Sequence, residues 1–417
     1  MKILVLNSGS SSQKSCLYEV NALPSGPPPE PVWAGKMEWE RDDAARVHVR
    51  NSSGARIDQQ VRIDSRAHAT EQLLETLWRG DAHVLSSPSE IDIVGHRIVH
   101  GGETFQAPTF LTPEAKRALL KMASFAPLHN RTELEGVDVV ETMIGSVPQI
   151  GVFDTAFHSH MPDSAAVYPV PFEWTTKGIR RYGFHGINHE YCAERAAQLL
   201  GRNLDSLKLV TCHLGNGCSL AAIQNGRSVD TTMGFTPLEG LMMGTRSGSI
   251  DPAIFTFLLR ERKFTAEELD KALNADSGLL GVSGLSGDMR KILAARKEGH
   301  ARATLAFEMF VRSLRFHIGA MTAILGGLDV LVFTGGIGEN SPEVRMETRR
   351  NLEFFGTRLD GARNAASAPD GEISHQDSRV RVLVIQAQED WAIARECWKL
   401  ASASGAAHQH DDGPGLH

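Results

Sequence analysis

Short β-branched or leucine-rich runs meet glycine-bearing polar turns at three places in this chain. Ile3-Leu4-Val5-Leu6 runs into Asn7-Ser8-Gly9-Ser10-Ser11-Ser12, and Leu209-Val210-Thr211-Cys212 into His213-Leu214-Gly215-Asn216-Gly217. Val330-Leu331-Val332-Phe333 runs into Thr334-Gly335-Gly336-Ile337-Gly338. Each pattern predicts a buried strand ending in a turn whose backbone N–H groups can point outward and hold phosphate oxygens. The first two turns look alike. Strand-like sequence resumes after both, over residues 13–20 and 218–223, the latter closing on the hairpin pair Asn225-Gly226. They read either as two ordinary hairpins or as copies of one strand–phosphate turn–strand unit.

The remaining pattern fills in strands and helices by turns. The proline-rich stretch 24–31 is a surface loop, and alternation over 32–63 predicts antiparallel strands. Residues 91–97 and 149–153 read as buried strands, with Asp154 at the carboxyl end of the second, where open α/β sheets gather ligand groups. Helices are predicted over 113–124, over 188–200 with Asn188 as N-cap and Gly201 just past its end, and over 301–325. Thr265-Ala266-Glu267-Glu268 is a capping box, and Ser341-Pro342 opens another helix. A last strand over 380–385 and a closing helix over 389–400 precede a tail from Ala401 expected to be disordered. This alternation makes the class α/β.

Length, 417 residues, points to about two or three domains. The net charge of −7 gives no electrostatic footprint for nucleic acid and fits poorly with a membrane surface. An anionic ligand must therefore be held by local cations. Five cysteines, an odd number with no Cys-x-x-Cys pair, predict reduced buried thiols in a cytoplasmic protein. The start does not read as a signal peptide. The apolar stretch 318–328 holds three glycines and stops at Asp329, too short to span a bilayer.

Familiar nucleotide motifs are missing. The only Gly-Lys pair, Gly35-Lys36, has Glu30 where a P-loop needs glycine, and Gly335-Gly336-Ile337-Gly338 lacks dinucleotide spacing. What remains is a set of polar residues at strand ends and in loops: Arg97, His100, His129, Asp154, His185, Arg246, Asp288, Arg290 and Glu389. Taken singly, an arginine is a solvated charge, a histidine a packed residue, and Asp154 or Glu389 a cap. Glycines beside Arg97, His185 and Arg246 change that weighting, because they permit close approach of backbone to a ligand.

At this point the chain, to about Leu400, resembles the acetate kinase family of the acetate and sugar kinase, heat-shock 70 and actin superfamily. The matching stretches, in order, are Asn7 to Ser12 with Lys14, Gly95-His96-Arg97 with His100-Gly101-Gly102, and Ala126-Pro127-Leu128-His129-Asn130. Val152-Phe153-Asp154-Thr155-Ala156-Phe157-His158, Arg181-Tyr182-Gly183-Phe184-His185-Gly186 and the second glycine turn follow. Gly244-Thr245-Arg246-Ser247-Gly248 and Gly335-Gly336-Ile337-Gly338-Glu339-Asn340 complete the set. The resemblance implies two actin-like (ribonuclease H-like) domains with an interdomain active-site cleft. One would span 1–154 plus 386–400 (acyl and metal side), the other 155–385 (nucleotide side and dimerisation), with 401–417 a disordered tail.

It also implies reversible, Mg²⁺-dependent transfer of the ATP γ-phosphoryl group to acetate, with Mn²⁺ as an alternative ion, in a cytoplasmic homodimer that binds neither nucleic acid nor membrane. By that resemblance Asn7 and Glu389 stand at the metal, and Ser10, Ser12 and Lys14 near the phosphates. His213, Leu214, Gly215, Asn216 and Gly217 hold phosphate. Asp288, Met289 and Arg290, with Gly336, Ile337, Gly338, Glu339 and Asn340, hold adenosine. Arg97 binds the acyl carboxylate, His185 and Arg246 stabilise the transferring phosphoryl, and Asp154 is the catalytic carboxylate. Val99, Leu128, Phe184 and Pro237 match the methyl pocket. Three places depart from the family pattern: Ser249 stands where Asp is usual, Asn130-Arg131-Thr132 replaces an Asn-Pro pattern, and Ala387-Gln388-Glu389-Asp390 replaces the usual Thr-Asn-Glu-Glu, with Glu389 kept. A propionate or butyrate kinase, and a non-catalytic ATP-binding module on the same fold, remain alternatives.

Overall fold

The computed structural model describes residues 1–9, 12–41, 44–122, 129–366 and 368–405, without the side chains of 40, 41 and 129–132. The chain divides into two compact units, Met1–Ala156 with Gln388–His417, and Phe157–Ala387. Both boundaries lie two residues later than the sequence-based division at 154 and 386.

The first unit is built on an eight-stranded sheet. Its strands are β1 (Lys2–Ser8), β2 (Ser12–Glu19), β3 (Trp33–Arg41), β4 (Ala44–Asn51), β5 (Arg56–Arg62), β6 (Ile93–Ile98), β7 (Thr109–Phe110) and β8 (Gln149–Phe153). They are ordered β5-β4-β3-β2-β1-β6-β8-β7. β1 pairs antiparallel with β2 and parallel with β6, which is parallel to β8. Helices Arg66–Glu75, Pro113–Met122 and His129–Ile144 accompany the sheet, and helix Glu389–Ser404 returns from far along the chain to pack on β1 and β6. A Cβ on Gly95 of β6 would lie 2.6 Å from Cys397 Sγ and 2.8 Å from Ile393, so a side chain there would push this helix off the sheet.

The second unit carries a six-stranded sheet of β9 (Lys208–Leu214), β10 (Cys218–Gln224), β11 (Arg227–Thr231), β12 (Val330–Thr334), β13 (Gly371–Glu372) and β14 (Arg381–Val384). Their order is β11-β10-β9-β12-β14-β13. The run β11-β10-β9-β12-β14 repeats β3-β2-β1-β6-β8 in order and direction: two antiparallel pairings, then two parallel ones. The two glycine turns join β1 to β2 and β9 to β10, the same place in each sheet, as expected of copies of one unit. Both units are mixed α/β with the strand arrangement of actin-like domains. All five cysteines are buried and free. Among the described residues no helix is long and apolar enough to cross a membrane.

Three local expectations need correction. The helix expected from Asn188 begins earlier, at Gly186, with His185 as N-cap in the left-handed region at φ 57°. Asn188 is fully buried and its amide is used elsewhere. The third glycine turn is not an open loop: Gly335–Asn340 forms a short helix directly after β12. Gly335, at φ 77°, lies against the Leu214 backbone, where a Cβ would come within 2.9 Å of its carbonyl. The closing helix does not stop at Leu400. It continues to Ser404 because Ala401 falls four residues after Cys397, on the stripe buried through Ile393, Ala394 and Cys397. The rest of the expected disordered tail, 406–417, lies outside the described residues, as do Ser10 and Leu128.

Candidate active site

In the first unit the candidate residues gather at the carboxyl ends of β1, β6 and β8. Arg97 and Asp154 are brought together by the parallel register of β6 and β8, in which Arg97 faces Val152 and Ile98 faces Phe153. The guanidinium grips the carboxylate with two bonds, Nε to Oδ1 at 3.2 Å and Nη2 to Oδ2 at 2.5 Å. Asp154 is 2% exposed and the Arg97 side chain 13%. Burial works against the Arg97 charge, but the carboxylates of Asp154 and Glu389 outweigh it and raise the guanidinium's pKa. Nη1 also reaches the Ser8 carbonyl at 3.5 Å, tying the pair to the end of β1.

Asn7, also at the end of β1, donates from Nδ2 to Glu389 at 3.2 Å and to Asp390 at 2.9 Å. Both acids stand in the first turn of helix Glu389–Ser404, where the backbone dipole favours anions. Glu389 is thus a helix-end acid as well as a candidate site residue. Burial raises the Asp390 pKa, while Lys14, which faces Asn7 across β1 and β2, lowers it. The glycine turn itself is closed by Gly9 N–H donating to the Ser12 carbonyl at 2.8 Å.

The donors here suit a hard divalent cation. Asn7 and Glu389 offer an amide oxygen and a carboxylate on adjoining side chains. No cluster of three or more metal-ligating side chains occurs among the described residues. Mg²⁺ takes one or two carboxylates and completes its shell with water and substrate phosphates, so an amide oxygen beside a carboxylate is a donor pair it accepts.

In the second unit His185, the turn His213 to Gly217, Pro237 and Arg246 converge. The His185 and His213 rings stack at 4.1 Å between centroids and 20° between planes. His185 Nδ1 lies 2.9 Å from Ser219 Oγ. Asn188 Nδ2 lies 2.9 Å from His213 Nδ1. A Cβ on Gly217 would sit 3.3 Å from Arg246 Nη1 and 3.5 Å from the His185 ring. The bare turn is therefore what lets Arg246 and His185 approach the backbone at Gly217. Arg246 Nη1 also donates to the Pro237 carbonyl at 3.3 Å.

The loop carrying Arg246 is held from both sides. Gly244 N–H donates to the Asn216 carbonyl at 3.0 Å, and Ser277, Leu279 and Leu280 donate to the carbonyls of Thr245, Met243 and Gly244. At the Ser249 departure, Ser249 N–H donates to Gly240 O and its hydroxyl accepts from Gly240 N–H, closing the same loop. Phe184 is fully buried, with its carbonyl 3.2 Å from His158 Nε2.

The residues expected at adenosine sit on two separate elements. Asp288 caps helix Met289–Lys297, and Arg290 folds back onto it. Gly336, the second residue of the short helix, has nothing within 4 Å of where a Cβ would be. Glu339 accepts from Gly335 N–H and, at the third departure, from Ala387 N–H, both at 2.9 Å.

Residues 2–395 match the acetokinase family. The chain is 56% identical over 401 residues to an acetate kinase of Cyanothece sp., covering 96% of this chain and 98% of that one. It is 53% identical to an acetate kinase of Trichormus variabilis over 403 residues, covering 96% and 99%. This chain belongs to the acetokinase family. Among solved acetokinase-like structures, Porphyromonas gingivalis acetate kinase superposes with a TM-score of 0.87 at 39% identity, over 96% of this chain and 99% of that one. A propionate kinase from Francisella tularensis gives 0.87 at 34%, over 95% and 99%.

Sequence reasoning missed three residues that the structure places against candidate residues: Ser219 on His185, Asp390 on Asn7 and Glu133 on Val99. Ser219, opposite His213 in the β9–β10 register, reads as one more small strand residue. Asp390 was masked by its neighbour Glu389. Glu133 lies in helix His129–Ile144, which no periodicity announced, and it carries no glycine neighbour of the kind that drew attention to Arg97.

Proposed function

We propose that this protein is an acetate kinase: it transfers the γ-phosphoryl group of ATP to acetate, reversibly and by direct in-line displacement, giving acetyl phosphate and ADP. The observation that carries this is the convergence of Arg246 and His185 on the His213–Gly217 turn, in a chain whose other unit holds Arg97 bidentate to Asp154. Such a set supplies charge and position rather than covalent chemistry, which is what phosphoryl transfer through a loose transition state asks of a protein.

Acetate is ionised at neutral pH, so the nucleophile has no proton to lose. The difficulty is bringing two anions together. In this reading Arg97 takes the acyl carboxylate, and Val99, Leu128, Phe184 and Pro237 are the residues assigned to the methyl group. Arg246 and His185 offset charge on the transferring phosphoryl. Ser10, Ser12 and Lys14, with the His213–Gly217 turn, hold phosphate oxygens. Asp288 to Arg290 and Gly336 to Asn340 hold adenosine. Asn7 and Glu389 hold the divalent ion, Mg²⁺ or Mn²⁺. When bound, that ion neutralises phosphate charge.

Asp154 spends both oxygens on Arg97. It therefore orients the guanidinium, and through it substrate and metal shell, rather than abstracting a proton. Asp154→Asn is expected to lose activity that neither higher pH nor an added external base restores; rescue by either would make proton transfer the better account.

The propionate kinase neighbour keeps a second substrate in view. One methylene in an apolar pocket is worth only ~1–3 kcal/mol, so discrimination is expected to be modest. A cytoplasmic homodimer is part of the proposal. It is supported by exposed apolar side chains of the second unit, Phe257, Phe316 and Phe354, which a partner surface would cover. The deciding experiment is hydroxylamine trapping of acyl phosphate with ATP, Mg²⁺ and acetate, propionate or butyrate. Hydroxamate from acetate, with less from the longer acids, is expected; none from any of them would sink the reading and leave the ATP-binding module.

A further inference from the structure

Glu133 is a buried carboxyl that the mechanism above does not use. It is 4% exposed, near the start of helix His129–Ile144. Its two oxygens both lie on the Val99 amide, at 3.2 and 3.1 Å. Val99 directly follows β6, two residues after Arg97, so this contact fixes the chain where β6 ends and the acyl wall begins. We propose that Glu133 is a positioning residue for the acyl substrate, pinning Val99 and acting, as a third carboxyl near Arg97, to set how strongly that guanidinium attracts an anion. This rests on the acetate kinase reading.

The two parts of the role follow from geometry and charge. Without an acceptor, the Val99 N–H would be buried with no partner, and the residue would shift to find one. The charged groups acting on Glu133 are Arg97 on β6, which favours its ionised form, and Asp154 after β8, which opposes it. Glu389, from helix Glu389–Ser404, acts on Arg97. His100, on the segment after β6, is held to about 4 by burial and stays neutral in the range that matters. Burial, above all, pushes the Glu133 carboxyl up to about 8.

The sign then follows. Below that value Glu133 is neutral, and Arg97 faces Asp154 and Glu389 alone. Above it a third carboxylate competes with incoming acetate for one guanidinium. Acetate binding therefore favours protonated Glu133, and affinity falls as pH rises.

The test compares acetate KM from pH 6.5 to 9.5 in the native protein, Glu133→Gln and Glu133→Ala. The native KM is expected to rise about tenfold above pH 8, the limit for one linked proton per pH unit. Glu133→Gln, which keeps an acceptor for Val99 but cannot ionise, is expected to keep KM flat within about twofold. Glu133→Ala is expected to raise KM about tenfold even at pH 7, through the unpaired Val99 amide, with a smaller change in kcat. A merely structural role would lower the melting temperature of both variants and leave the shape of the pH profile intact. A native-like rise in KM for Glu133→Gln overturns the charge role, and a native-like KM at pH 7 for Glu133→Ala overturns the pinning role. Absence of acyl hydroxamate from the native protein would instead refute the acetate kinase reading itself.

Discussion

Replacing Arg97 with alanine is expected to lower kcat/KM for acetate by about 10²-fold or more, since two hydrogen bonds to a charged group, at about 1.5–3 kcal/mol each, go at once. The effect should fall on acetate and not on ATP, whose KM should stay near its native value. The same substitution strips Asp154 of its bidentate partner at a site where that carboxylate is 2% exposed. Removing one partner of a buried pair costs about 3–5 kcal/mol, so denaturant unfolding should show a large loss of stability. The two effects can be separated. Arg97→Ala combined with Asp154→Asn removes the orphaned charge and should regain much of the stability while regaining none of the acetate affinity. If the double variant binds acetate normally, or if Arg97→Ala alone leaves acetate KM unchanged, Arg97 is a structural residue.

Arg246→Ala is expected to act on turnover. A guanidinium placed against a transferring phosphoryl is worth about 10³-fold or more in kcat. Here the side chain lies over the bare backbone of Gly217 beside His185, with Nη1 anchored on the Pro237 carbonyl. Acetate KM should change little, because the acyl carboxylate is assigned to Arg97. Arg246→Lys should recover only part of the loss, since an ammonium keeps the charge but not the planar fork. Steady-state kinetics with acetyl phosphate and ADP, the reverse reaction, should show the same drop. A kcat within tenfold of native in both directions would remove Arg246 from the chemistry.

What could be read from the sequence follows from how local each signal is. β8 is legible because five buried residues in a row end at an acidic one, and β1 and β9 because apolar runs end in glycine turns. The helix start at His185 was not legible. A non-glycine residue in the left-handed region carries no composition signal, and Asn188 supplied a plausible but false cap. The end of the last helix was misplaced because Ala401 opens a stretch rich in small and polar residues that reads as a tail, and only packing of the helix against the sheet makes it core. The Arg97–Asp154 pair was legible as two separate residues on motif strength. That they hold each other depends on the β6–β8 register, which no spacing along the chain encodes. Glu133 was illegible for the same reason: its partner, the Val99 amide, is 34 residues away.

Helix Glu389–Ser404 has a consequence for how the chain is made. The sheet it covers consists of residues 2–153, yet Gly95 of that sheet is shaped to receive Cys397 and Ile393, and Asn7 waits for Glu389. During synthesis the sheet of the first unit emerges early and remains uncovered on this face while the whole second unit is being translated. At about 5–20 residues per second, more than two hundred residues amount to tens of seconds of exposed apolar surface. The second unit, continuous in sequence, can fold in that interval. The first is sealed last, and Asn7 meets Glu389 only by that final docking, so a truncated or stalled chain would present a sticky sheet without that pairing.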